Sequence, residues 1–204
     1  MSSVARAEWD LVLWEDPDGV HAGLQGPESR ATKAAVPVGA DFVGIRVVRG
    51  AILPALPGVA MVDRFIPLRV ADGRLGLFGE RLDLPGFDDA ERFVETLVRG
   101  GLLVRADLES GAMLSERTRQ RRYLSAVGLP LRTVRQIERA ADAAVLLRAG
   151  GHVAEVAHEA GYFDQPHLAR SLRRFIGPSA TGLTDSGDGG TLSLLYKTGR
   201  EETR

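Results

Sequence analysis

The chain has 204 residues, of which 44% are hydrophobic and 26% charged, with a formal net charge of −1 and no cysteine. A chain of this length buries a core without metal or disulfide staples, and the lack of cysteine excludes thiol catalysis, thiolate zinc sites and disulfides. No window holds the roughly 18 apolar residues that a membrane span needs, and the first residues lack the basic stretch and apolar core of a secretory leader, so a cytoplasmic chain with no membrane partner is expected.

The first half reads as strands and turns. Trp9-Asp10-Leu11-Val12-Leu13-Trp14 alternates over a short run and stops at Asp16-Pro17-Asp18-Gly19, a strong turn signal, with Val20 to Leu24 as the returning strand of a hairpin. Phe42-Val43-Gly44-Ile45-Arg46-Val47-Val48 is β-branched and apolar, as a buried strand is. Pro54, Pro57 and Gly58 break the chain after it, Phe65-Ile66-Pro67-Leu68 is too short to type, and Asp72-Gly73 marks another turn.

The second half reads as helices. Asp88-Asp89 suits the cap of a helix running through Phe93, Leu97 and Val98 to a stop at Gly100-Gly101. Ser115 caps the next, which ends near Gly128-Leu129-Pro130. Leu131 to Ala149 comes next, with Val134, Ile137, Ala141, Ala144, Val145 and Arg148 at helical spacing and Gly150-Gly151 as the stop. Two short helices surround Ala160-Gly161, the second ending near Gly177-Pro178. Residues 182–190 read as a flexible linker before the apolar patch Leu192-Ser193-Leu194-Leu195-Tyr196.

Charge is spread unevenly. Residues 1–98 carry 10 Lys and Arg against 15 Asp and Glu, while residues 99–178 carry 13 against 8. A basic segment in a neutral chain is what a nucleic-acid-binding domain beside a non-binding one shows, although chance scatter produces the same pattern.

The stretch from Val153 to Phe175 carries more information. Val153, Val156 and Ala157 form one apolar face of a short helix, and Gly161 suits a turn that needs positive φ. Asp164 is placed to cap a second helix, with Pro166 in its first turn, where a missing N–H costs little. Leu168, Leu172 and Phe175 then face inward, while Gln165, Ala169, Arg170 and Arg173 lie away from that core. Helix, tight turn and helix with a polar, basic outer face is what a helix-turn-helix requires, although a plain two-helix hairpin shares the outline. An internal repeat supports the first reading. Ser115 to Tyr123 aligns with Asp164 to Leu172 at an offset of 49, placing Arg121 on Arg170 and Gly128 on Gly177. Two such helices reading one duplex have to reach successive major grooves roughly 34 Å apart.

The segment from about 104 to 183 resembles the DNA-binding domain of the AraC/XylS family. The match runs through Ser-Glu-Arg-Thr-x-Gln-Arg-Arg-Tyr from Ser115, the Gly128-Leu129-Pro130 break, Ile137-Glu138-Arg139 and Ala144-Val145-Leu146-Leu147. It closes with Ala157-x-x-Ala-Gly-Tyr-x-Asp-Gln-x-His-Leu-x-Arg and Phe175-x-Gly177. The first half resembles the small β-rich domain that precedes this module in some members, on Asp10-Leu11-Val12-Leu13, Gly26-Pro27, Val43-Gly44-Ile45-Arg46, Gly50-Ala51 and Asp63-Arg64-x-x-Pro67-Leu68. It is short for a complete cupin-like barrel, which leaves truncation and closure against a partner open.

The resemblance implies an α+β chain. A β-rich sensor- or dimerisation-like domain covers residues 1–85, and an all-α domain of two helix-turn-helix units joined by a long linker helix covers 86–181. A flexible tail takes 182–204. It implies a bacterial, sequence-specific transcription factor that is not an enzyme and needs no cofactor. Its partner is double-stranded promoter or operator DNA, and RNA polymerase, a small-molecule effector and a second copy of the chain are further partners. Recognition helices at about 115–127 and 164–176 enter major grooves. Gln165 and Arg170 supply hydrogen bonds to bases, Pro166 and Ala169 offer apolar contact, and Arg173 lies on the same surface. Gln120 and Arg121 are the first unit's equivalents, with Arg117 and Arg122 nearby for phosphates.

The first unit departs from the family pattern. Arg119 stands where Leu168 stands in the second, Asp107 matches Val156, and Ala112 matches Gly161. Either Arg119 and Asp107 pair, or Arg119 snorkels outward, or the unit is repacked. The second unit is therefore expected to dominate base reading. The alternative is a degenerate member that binds a protein or an effector without productive DNA binding.

Other signals carry less. His21, His152, His158 and His167 lack a His-x-x-x-His spacing, and Gly187-Asp188-Gly189-Gly190 lacks the Lys-Ser/Thr that completes a phosphate loop. Ser179 lacks a nucleophile elbow, and Asp88-Asp89 reads as a cap rather than a catalytic pair. Trp9 and Trp14 read as β-domain core or interface.

Overall fold

Alternating apolar and polar residues in the first half build a sheet, and 3.6-residue periodicity in the second builds helices. The structure is a computed structural model that describes residues 2–33, 40–106 and 115–177. In chain order its elements are β1 (Ser2–Ser3), β2 (Trp9–Asp16), β3 (Gly19–Gln25), β4 (Thr32–Lys33), β5 (Asp41–Val47), β6 (Ala51–Ile52), α1 (Gly58–Met61), β7 (Phe65–Ala71), β8 (Arg74–Leu77), β9 (Glu80–Asp83), α2 (Ala90–Arg99), β10 (Val104–Arg105), α3 (Glu116–Val127), α4 (Leu131–Arg148), α5 (Val153–Glu159) and α6 (Gln165–Phe175). The chain is α+β. Asp107, Ala112, Ser179, Gly187–Gly190, the linker 182–190 and the patch Leu192–Tyr196 lie outside the described residues.

The main sheet is antiparallel, in the order β5-β2-β3-β7-β8-β9. Its register places Leu11 opposite both Leu24 and Ile45, and Leu13 opposite both Ala22 and Val43. One face therefore carries a continuous apolar layer, and Phe93 and Leu97 of α2 pack in the same core. Trp9 belongs to that core, with its indole N–H donating to the Ala51 carbonyl at 3.1 Å. Trp14 projects from the other face and stacks on His21 at 5.0 Å. Beside it, burial raises the Asp16 carboxyl, but the His21 ring, the Asp18 N–H and the Trp14 indole outweigh that effect and hold it below the usual carboxylate range.

Several elements differ from the sequence-based expectation. The segment from Phe65, too short to type, extends through Ala71 as β7. Pro67 fits because the β8 ladder begins only at Arg69, leaving the proline unpaired on that side. The Asp72-Gly73 turn is present with positive φ at both residues, and it opens the unforeseen strands β8 and β9. Asp89 occupies the N-cap position of α2, yet its carboxylate accepts from Arg92 at 2.5 Å rather than from the helix backbone. In α4 the buried stripe is Val134, Ile137, Ala140, Ala143, Ala144 and Leu147, so the expected Ala141 and Val145 are exposed. The stripe drifts around a helix this long because 3.6 residues per turn matches neither a strict three- nor four-residue step. Val153 is likewise exposed, because it stands at the first residue of α5, outside the packed turn.

The described residues form two compact units. One comprises residues 8–27, 40–106 and 115–128, and the other residues 2–7, 28–33 and 129–177. In the first, α3 packs on α1 and reaches β6. Glycine permits this approach. Gly128 ends α3 with φ +83°, and a Cβ there would meet the Gly58 carbonyl oxygen at 2.4 Å. No described helix is long and apolar enough to cross a membrane.

Gly128→Ala therefore combines an unfavourable backbone with a clash, whereas Gly161, at φ +69°, has open space around the missing Cβ. Chemical denaturation is expected to show a loss of about 1 kcal/mol for Gly161→Ala and about 2–3 kcal/mol for Gly128→Ala. Equal losses would mean that the α1–α3 approach is not tight in solution.

Candidate nucleic-acid interface

Apart from the exposed Val153, the second helix pair follows the local signals of its sequence. Val156 and Ala157 of α5 are buried, Gly161 takes the left-handed turn, and Asp164 caps α6 by accepting the His167 N–H at 2.6 Å. Pro166 lies in the first turn of α6, and Leu168, Leu172 and Phe175 are buried beneath it. Leu168 and Leu172 share a core with Ala143, Ala144 and Leu147 of α4. The unit is a complete helix-turn-helix carried on the long helix.

Two further contacts set the turn. Arg139 of α4 donates to the Gly161 carbonyl at 3.1 Å and lies 4.7 Å from the centre of the Tyr162 ring. The Tyr162 hydroxyl and Ser171 hydroxyl are hydrogen-bonded at 2.9 Å, and His167 meets the same ring edge-on at 5.2 Å. Arg139 and Tyr162 stand in the family-like motifs, but sequence reasoning assigns them no role. A long-range hydrogen bond leaves no trace in spacing.

Gln165, Pro166, Ala169, Arg170 and Arg173 are all exposed on α6. Pro166, Ala169, Arg170 and Arg173 keep helical spacing along one strip opposite the buried face. Phe163, just before the cap, is 92% exposed, a position to which sequence reasoning assigns no role.

In the first unit Ser115 caps α3, accepting from the Thr118 N–H at 3.3 Å, and Gly128 closes it in the left-handed conformation. Arg117, Gln120, Arg121 and Arg122 are exposed along it. Arg119 is not a buried charge. It is exposed and paired with Glu116 one turn back. Val127 is buried, with Thr118, Tyr123 and Ala126 half-buried. Pairing of Arg119 with Asp107 lies outside the described residues, and α3 itself meets α1 and β6 of the β-rich part. Where the family-like segment begins, Val104–Arg105 is a strand paired with β6. Residues 107–114 lie outside those described.

Residues 110–184 match the family model described as a helix-turn-helix domain. The segment is thus similar to the AraC-type helix-turn-helix domain, as its motifs imply. The match spans α3 to α6, and a domain of this kind supports DNA binding and transcription regulation, with DNA as the partner. The AraC-type domain is a regulatory DNA-binding family and not an enzymatic one. No curated protein and no solved structure matches the chain. Among the described residues, no group of three or more metal-ligating side chains is placed to hold a metal ion.

The two aspartates at helix starts make a direct test of the α6 cap. Asp164→Ala is expected to lower stability by about 1 kcal/mol, because a cap bond is lost. Asp89→Ala, which breaks only an exposed pair, is expected to cost less than about 0.5 kcal/mol. Thermal melts that rank the two variants the other way would show that Asp164 does not hold the α6 terminus.

Proposed function

We propose that the chain is an AraC-type regulator that reads double-stranded promoter or operator DNA by placing α3 and α6 in major grooves, with α6 dominant in base reading. The supporting observation is the contrast between the outer faces of the two helices. On α6, Gln165 and Arg170 are exposed with no ion pair or hydrogen bond among the described residues, so both are available to base edges. Glutamine pairs bidentately with adenine and arginine with guanine, while Pro166 and Ala169 suit a thymine methyl. On α3 the residue matching Gln165 at the offset of 49 is Glu116, a negative charge that accepts from Gln120 at 3.2 Å. Arg117, Arg121 and Arg122 are exposed and form no ion pair among the described residues, which suits phosphate contacts that fix position without reading sequence.

In this reading, residues 86–181 bind DNA and residues 1–85 serve sensing or dimerisation, with residues 182–204 as a tail. RNA polymerase, a small-molecule effector and a second copy of the chain are the further partners. Sedimentation showing a monomer at micromolar concentration would remove the second copy.

The division of labour has a direct measurement. From a random-sequence pool, the wild-type chain is expected to select a duplex whose affinity falls steeply with salt. Arg170→Ala is expected to relax base preference at one position by about 1–3 kcal/mol. Arg121→Ala is expected to weaken binding evenly across sequences and to lower the salt slope by about 1. A larger loss of base preference for Arg121→Ala than for Arg170→Ala would reverse the assignment. Binding without salt dependence would favour the protein-interaction reading.

A further inference from the structure

The β2–β3 hairpin enters and leaves through two short segments, residues 2–7 and 28–33, and these belong to the compact unit that contains α6. They form a narrow antiparallel neck. Ser3 lies opposite Thr32, and Arg6 and Glu28 exchange both backbone hydrogen bonds, at 3.0 and 2.8 Å. The neck is fastened to the end of α6. The Ala5 N–H donates to the Phe175 carbonyl at 2.7 Å, and the Ala31 N–H donates to the Arg174 carbonyl at 2.8 Å. The last carbonyls of a helix have no partner within it, and here two of them are satisfied by residues more than a hundred positions away in sequence.

A buried carboxylate holds the two segments in register. Glu28 is 2% exposed and accepts from Ser3 Oγ at 2.5 Å, from Arg6 Nε at 3.0 Å and from Thr32 Oγ1 at 3.0 Å. Arg6 Nη2 also bonds Ser3 Oγ at 2.7 Å. A charge in that position is tolerated only when it is paired, and a fully bonded buried network favours one arrangement of the strands that carry it. The hydrogen bonds of Ala5 and Ala31 to α6 depend on that arrangement.

We propose that Arg6 and Glu28 are positioning residues for DNA reading, closing a neck that holds the last turn of α6. This rests on the DNA-reading role proposed for α6. The segments lie outside the matched helix-turn-helix domain, and β2 and β3 are their direct continuations in the chain. The sheet's central hairpin is thus tied through its own backbone to the element that holds the reading helix.

The full chain contains no cysteine, so a thiol pair placed at the neck is unambiguous. In a hydrogen-bonded antiparallel pair the Cα atoms stand about 5.5 Å apart, within disulfide range. The double variant Arg6→Cys, Glu28→Cys is expected to bind the duplex selected by the wild-type chain about tenfold more weakly when reduced, and to recover when oxidised. Without DNA, amide exchange at residues 168–177 is expected to rise in the reduced form and return on oxidation, with α3 unchanged. Equal affinity in both redox states, or exchange that rises equally in α3 and α6, overturns the proposal. If the wild-type chain selects no duplex, the DNA-reading proposal for α6 fails and the exchange data alone judge the neck. In that case, unchanged protection at 168–177 overturns the neck as well.

Discussion

A helix that reads a ligand with one face has to leave that face bare and still be held still. α6 meets this constraint through contacts on every other side. Beneath it, Leu168, Leu172 and Phe175 are buried, each representing about 1.5–3 kcal/mol of apolar transfer. At its start, Asp164 accepts a backbone N–H, and the preceding turn is clamped through Arg139 and Tyr162. At its end, Ala5 and Ala31 satisfy carbonyls of the last turn. With these contacts made, Gln165, Arg170 and Arg173 are exposed and make no hydrogen bond or ion pair among the described residues.

α3 solves a different problem. Eleven of its twelve residues are exposed or half-buried, and its charges are partly spent on each other, through Glu116 with Arg119 and Gln120. Exposed pairs along a helix add only about 0.3–0.5 kcal/mol, so they do not hold it in place. Its position comes instead from packing on α1, where two backbones approach at Gly58 and Gly128. Its exposed arginines fit the phosphate role proposed for it, because phosphate contacts tolerate small errors of angle and bidentate base contacts do not.

Much of this is legible in the sequence, for reasons that differ by element. The hairpin over β2 and β3 comes from strict alternation around Asp16-Pro17-Asp18-Gly19, and the α5–α6 pair from Gly161, Asp164 and the Leu168, Leu172, Phe175 spacing. These are local signals of turn, cap and period. β8 and β9 escape such reading because each is only four residues long, and their turn at Phe78-Gly79 places a non-glycine residue at positive φ. Val145 and Val153 mislead because an apolar residue at helical spacing does not by itself show whether a neighbour covers it. Arg119 is a difficulty only on the assumption that both units pack alike, and pairing along its own helix removes it.

The least legible feature is the one that joins residues 2–7 and 28–33 to α6. Neither segment carries a motif, and Arg6, Glu28, Ser3 and Thr32 have no periodic relation to the helix their strands support. The reason is topological. Sequence patterns report what a segment does with its neighbours in the chain, whereas here one folded unit is assembled from three stretches, with the β2–β3 hairpin inserted between the first two. The matched helix-turn-helix domain is accordingly a segment of sequence and not the whole of what holds α6. A fragment confined to it leaves the Arg174 and Phe175 carbonyls to water.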